Sequence, residues 1–189
     1  VTKEAGREFF KLDAAKKTVF VFGGSLGAAS INNAMLNILD ELQANDIQLI
    51  WQTGQTDYER VRAAVRIKKN IWLGAFIDQI EHAYAAADVV VCRSGALTIA
   101  ELTKVGLPAI LVPYPHAAAD HQTVNARSLV DAGAAVMMRD SEVKSKLQAE
   151  LFNLLNDEQR RTSMSQASKQ LGKPEAGKEI AKKILDLVE

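Results

Sequence analysis

The chain has 189 residues, 48% hydrophobic and 24% charged, with 23 basic side chains against 23 acidic ones. That length suits one domain with a real core, and a formal charge of zero argues against a general nucleic-acid binder, which carries a basic excess or stripe. The single cysteine, Cys92, allows no disulfide within the chain, which fits a reducing compartment; no apolar run reaches the roughly 20 residues of a membrane span.

The opening stretch, VTKEAGREFFKLDAAKK, lacks the apolar core of a signal peptide and reads as a short amphipathic helix. It starts without Met and directly in that helix, as expected of a segment beginning partway through a longer protein. TVFVF (18–22) is a strand, followed by a helix over about 27–43. IQLIWQTG (47–54) leads to a helix over 57–65, NIWLGAF (70–76) to one over 78–87, and DVVVC (88–92) to one over 96–105. PAILVPY (108–114) leads to a helix over about 120–132, and AAVMM (134–138) is a short sixth strand. From about residue 142 the tail is helical, over 142–155, 157–171 and 175–188, with Asp157 as a cap and Gly172 and Pro174 as breaks.

Unbroken rather than alternating apolar strands mean burial on both faces, and strand–helix repeats mean right-handed crossovers. The expected fold is α/β: a Rossmann-like, doubly wound parallel six-stranded sheet with helices on both faces, in one domain over 1–189. Such sheets bind ligands at the carboxyl ends of their strands, where strand order reverses. Attention therefore goes to the loops after Phe22, Gly54, Ala75, Cys92 and Pro113.

The first loop is Gly23-Gly24-Ser25-Leu26-Gly27, after a strand and before a helix. Unpaired N–H groups at a helix start carry partial positive charge, and glycines let a phosphate approach them. The dinucleotide fingerprint G-x-G-x-x-G fails in both registers, because Ser25 and Ala28, or Leu26 and Ala29, stand where glycines are needed. No acid ends the second strand to take a ribose hydroxyl, and no Gly-Lys-Ser/Thr follows the loop. A tight turn with no ligand remains an alternative. The fourth strand repeats the arrangement with Arg93-Ser94-Gly95 and a helix from Ala96. Thr98 and Glu101 share one helix face; a carboxylate there suits vicinal hydroxyls, and helix-dipole compensation is the alternative. Arg93 pairs with a local acid or contacts phosphate. Cys92 reads as core.

The third loop, 112–126, carries His116, Asp120, His121, Gln122 and Asn125. The spacing matches no zinc motif. Asp120 reads as an N-cap, with His121 and Gln122 on the first turn. His116 is a loop histidine or a base. Lys173, Lys178, Lys182 and Lys183 form a solvated face or a contact with anionic lipid.

GGSLGA, then GAFIDQIEHAYAAADVVVCRSGALTIAEL, then GLPAILVPYPHAAADHQTVNA, in this order, resemble the carboxyl-terminal domain of the MurG family of UDP-N-acetylglucosamine-dependent N-acetylglucosaminyltransferases. The resemblance covers about 17–189. It implies the donor-binding half of a GT-B enzyme of bacterial cell-wall (peptidoglycan) synthesis, active at the cytoplasmic face of the inner membrane as a peripheral protein. The amino-terminal acceptor domain, with the general base and most membrane contact, is then absent from this chain, and no catalytic residue, metal or cofactor is expected in it. Position by position, the resemblance implies donor contacts from Gly24, Ser25 and Gly27 in the phosphate region, and from Phe76 and Ile77 through backbone at the uracil edge, with Ile80 nearby. It implies contacts from Ser94, Gly95, Ala96, Leu97 and Thr98 facing the phosphates, Glu101 on the ribose, and Gln122 on GlcNAc. His121 stands where many members have glutamine, and Leu26 replaces a glutamine found in some. The partners so implied are UDP-GlcNAc and, through the other domain, the lipid-linked muramoyl-pentapeptide. The competing readings are another UDP-GlcNAc-using GT-B transferase or epimerase, or a non-catalytic nucleotide-binding module.

Overall fold

The computed structural model describes residues 1–66 and 70–187; position 188, where the sequence places the end of the final helix, lies outside them. In chain order the elements are α1 (Lys3–Phe9), β1 (Thr18–Phe22), α2 (Ala29–Asn37), α3 (Leu39–Ala44), β2 (Gln48–Gln52), α4 (Tyr58–Val65), β3 (Ile71–Gly74) and α5 (Ile80–Ala86). They continue as β4 (Val89–Cys92), α6 (Ala96–Val105), β5 (Ala109–Leu111), α7 (His121–Asp131), β6 (Ala135–Met137), α8 (Val143–Asn156), α9 (Glu158–Leu171) and α10 (Ala176–Leu185). The sheet runs β3-β2-β1-β4-β5-β6, every pair parallel. Strand order reverses between β1 and β4, and Phe22 pairs with Cys92, so these two strands end level.

The unbroken apolar strands serve two cores at once. Val19, Val21, Leu49, Trp51, Val89 and Val91 face one layer, with Met35 of α2 and Leu147 and Leu151 of α8. Phe20, Phe22, Ile50, Val90 and Cys92 face the other, with Tyr84, Leu102 and Leu129. Successive residues point to opposite faces, so a strand covered on both must be apolar throughout.

The expected helix over 27–43 is two helices. Ile38 breaks it at φ −107 and ψ 6. Ile31, Met35, Ile38, Leu39 and Leu42 are all buried, so the apolar period runs straight through the break. No glycine or proline marks it.

A buried polar chain locks α2 to the sheet. Trp51 Nε1 donates to Asn32 Oδ1 at 3.0 Å, and Asn32 Nδ2 donates to the Thr53 carbonyl at 2.9 Å and to Asp57 Oδ2 at 2.8 Å. Arg60 closes the chain on Asp57 Oδ1 at 2.9 Å. Every polar atom of the Asn32 side chain is paired, as burial requires.

Burial pushes the Asp57 carboxyl upward, but the hydrogen bonds from Asn32 and Arg60 and the Arg60 charge outweigh it, and the group ends below its ordinary 3.8. A carboxyl depressed by folding stabilises the fold above its unfolded pKa, and that contribution is lost as pH falls through the folded one. Urea unfolding from neutral pH to below about pH 4 should therefore show an acid-side loss of stability that Asp57→Asn reduces; equal slopes for both proteins would contradict the assignment.

Candidate functional site

The loop after β1 is built on backbone contact. A Cβ on Gly27 would meet the Thr53 carbonyl oxygen at 2.1 Å, and one on Gly54 would meet the Gly27 nitrogen at 2.1 Å. Both glycines have positive φ, +85 and +76. The loop therefore rests directly on the end of β2, and Gly27 N–H closes the turn on the Gly24 carbonyl at 3.1 Å. Ser25 and Leu26 stand exposed at its tip. α2 then starts at Ala28 with no side-chain cap. α6 starts the same way at Gly95, also without a side-chain cap. The strands leading to them are neighbours, so two helix starts with unpaired N–H groups lie side by side at the reversal of strand order.

Ile77 and Gln122 join these loops through hydrogen bonds. Gln52, buried at the end of β2, donates from Nε2 to the Gly24 carbonyl at 3.2 Å and accepts the Ile77 N–H on Oε1 at 3.0 Å. That ties the glycine loop to the segment holding Phe76 and Ile77. The Ile77 N–H is thereby engaged within the protein. Sequence reading passed over Gln52; a polar residue ending a strand buried throughout is the signal that would have found it.

Ser94 is fully buried, and its hydroxyl donates to the Gln122 carbonyl at 2.8 Å. Asn125 Nδ2 donates to the Ser94 carbonyl at 3.0 Å. These bonds bring the start of α7 to the β4 loop. Gln122 Oε1 accepts the Tyr114 N–H at 3.0 Å, and its NH2 donates to no described residue. His121 Nδ1 lies 2.7 Å from the Ala118 carbonyl, which makes Nδ1 the N–H and leaves Nε2 an acceptor in the neutral ring. His116 is exposed, edge-on to Tyr114. Asp120 occupies the N-cap position, as expected, but in left-handed backbone at φ 51 and with no capping bond. Its carboxylate accepts from the Thr123 hydroxyl at 2.6 Å instead.

Arg93 is a structural tie. Nη1 donates to Asp140 Oδ1 at 2.5 Å and to the carbonyls of Val112 and Pro113 at 3.1 Å; Nη2 donates to Ser30 Oγ at 3.1 Å. One guanidinium thus holds the β4 loop, the β5 loop, α2 and the turn before α8. Cys92 is buried, and burial together with the Glu101 charge raises its thiol pKa, which suppresses the reactive thiolate. Glu101 accepts from the Tyr84 hydroxyl at 2.8 Å. It lies on the wall of an open groove of about 1160 Å³ that runs from Ile80 and Tyr84 past Lys104 and Arg161 to Asp88 and Pro108 at the opening ends of β4 and β5; of the expected site residues only Ile80 and Glu101 line it. Phe76 and Leu97, the latter in the first turn of α6, stand 57% and 72% exposed. Among the described residues no cluster of three or more acidic, histidine or cysteine side chains has a metal-binding arrangement, and no helix is long and apolar enough to cross a membrane.

Residues 18–180 match the glycosyltransferase family 28 C-terminal domain. A UDP-N-acetylglucosamine–N-acetylmuramyl-(pentapeptide) pyrophosphoryl-undecaprenol N-acetylglucosamine transferase of Chlorobium luteolum is 47% identical over 185 residues, 97% of this chain and 50% of that protein. The crystal structure of Acinetobacter baumannii MurG superposes with a TM-score of 0.82 at 31% identity, over 98% of this chain and 53% of that one. A putative UDP-N-acetylglucosamine 2-epimerase from Listeria monocytogenes superposes at 0.64 with 15% identity, over 89% of this chain and 44% of that one, which shows the fold alone. The chain spans about half the length of the curated relatives it matches.

The glycine loop makes a paired prediction. Gly27→Ala, strained in φ and blocked by backbone, should cost about 3 kcal/mol. Gly24→Ala, at φ +93 but in open space, should cost only about 1–2 kcal/mol. Thermal or urea unfolding measures both; equal losses would contradict the packing of Gly27 on Gly54.

Proposed function

The chain belongs to the glycosyltransferase family 28 C-terminal domains, and we propose from that premise that it is the donor-binding half of an N-acetylglucosaminyltransferase of peptidoglycan synthesis. The donor is UDP-GlcNAc. The reaction carries GlcNAc to the 4-hydroxyl of a lipid-linked muramoyl-pentapeptide, with inversion at the anomeric carbon. The acceptor site, the general base and the apposition to the cytoplasmic face of the bacterial inner membrane belong, in this reading, to the other half. The half described here binds donor and transfers nothing alone.

The supporting observation is the pair of helix starts without side-chain caps, preceded by glycine loops at neighbouring strand ends. A nucleoside diphosphate leaving group gains negative charge as the glycosidic bond breaks. Each helix start carries roughly half a positive charge in fixed N–H groups, and preorganised donors stabilise such charge without reorganising. Gly24, Ser25 and Gly27 serve the diphosphate from one side and Gly95, Ala96, Leu97 and Thr98 from the other. Ser94 holds its loop through its bond to Gln122. The Phe76 and Ile77 segment reads the uracil edge beside Ile80, and Glu101 takes the ribose diol. The free NH2 of Gln122 and the acceptor nitrogen of His121 meet hydroxyls of GlcNAc.

Calorimetric titration tests the reading. UDP-GlcNAc should bind saturably and NADH should not. Glu101→Ala should weaken binding at least tenfold, since hydrogen bonds to a charged group contribute about 1.5–3 kcal/mol. Gly95→Ala should unfold like the parent, because Gly95 has φ −64 and only the Thr98 hydroxyl, at 3.9 Å, near an added methyl; it should nonetheless bind donor more weakly. Equal affinity for NADH, or indifference to Glu101→Ala, would overturn the assignment.

A further inference from the structure

We propose that Tyr84 is the positioning residue for the ribose-binding carboxylate: its buried phenol holds one oxygen of Glu101 in place and leaves the other for the diol. The inference rests on the donor-site reading above and adds a residue to it. Tyr84 lies on α5 and Glu101 on α6, 17 positions apart, joined by the 2.8 Å bond to Oε2. Glu101 Oε1 accepts from no described side chain or backbone group. The Tyr84 ring is 4% exposed and boxed edge-on by Phe20 at 5.4 Å and Phe22 at 5.9 Å, which stack on each other.

A purely packing role would not need the hydroxyl. Phenylalanine fills the same box, and a buried hydroxyl without a partner is costly. The oxygen is present and its proton goes to a carboxylate, which makes a charge-assisted bond. Burial, with Cys92 and Glu101 close by, pushes the Tyr84 pKa far upward, so the phenol keeps the proton it donates. Glutamate is a long, rotamer-rich side chain, and fixing it before the ligand arrives removes an ordering cost from binding. Phe22, which walls the tyrosine, is also the last residue of the strand feeding the glycine loop. Nucleoside and diphosphate contacts thereby share one rigid support.

The test compares the chain with Tyr84→Phe, each titrated with UDP and with 2′,3′-dideoxy-UDP. The parent should prefer UDP. Tyr84→Phe should lose about tenfold in UDP affinity and leave dideoxy-UDP unchanged, so that the preference collapses. An equal loss for both ligands would make Tyr84 a packing residue and overturn the proposal while the donor-site reading stands. Unaltered UDP affinity would overturn it too. If the parent fails to distinguish the two ligands, the ribose role of Glu101 fails, and this proposal with it. Glu101→Gln provides the internal standard: it keeps an acceptor for Tyr84 but removes the charge, and should also reduce the preference for UDP.

Discussion

Two glycine-preceded helix starts, those of α2 and α6, lie without side-chain caps at the level ends of adjacent strands, and in the proposed donor site their shared electrostatic deficit is the constraint that the surrounding contacts hold in place. A helix start left open to solvent is tolerable. Two placed together at level strand ends make a concentrated, rigid field for an anion. Sheet topology puts them there, because β1 and β4 are adjacent only where strand order reverses.

Holding that field in shape falls to interactions that are mostly backbone or fully buried. Gly27 and Gly54 pack main chain on main chain. Gln52 bridges the glycine loop and the Phe76–Ile77 segment. Arg93 gathers four segments with one guanidinium, and it is itself mostly shielded, its side chain 12% exposed. None of these groups needs to touch a ligand. They fix the distance between the groups that would, and rigid geometry is what lets donors stabilise developing charge without moving.

Much of this was legible in the sequence. β1 occupies 18–22 as read, and all six strands and the parallel, doubly wound order follow from the unbroken apolar runs. The glycine loop after β1 was legible as a turn, because glycine between a strand and a helix allows the positive φ that Gly24 and Gly27 adopt. The break at Ile38 was not, because the apolar period continues through it. The side chain of Asp120 was misread: Asp is a common cap, but here Thr123 competes for the carboxylate and the backbone is left-handed. The Arg93–Asp140 pair spans 47 positions and the Gln52–Ile77 bond spans 25. Local spacing carries no trace of such pairings; they exist only once the sheet has closed. The Tyr84–Glu101 bond was hidden for the same reason, within a segment whose tyrosine looks like ordinary core.

The central claim, that an anionic diphosphate sits between the starts of α2 and α6, is open to one direct measurement: backbone amide chemical shifts of the 20.6 kDa chain during titration with UDP. The amides of 25–29 and 95–98 should shift together and saturate at one common affinity, with smaller changes at 76–77. Shifts gathered elsewhere, with both helix starts unmoved at saturation, would contradict the account.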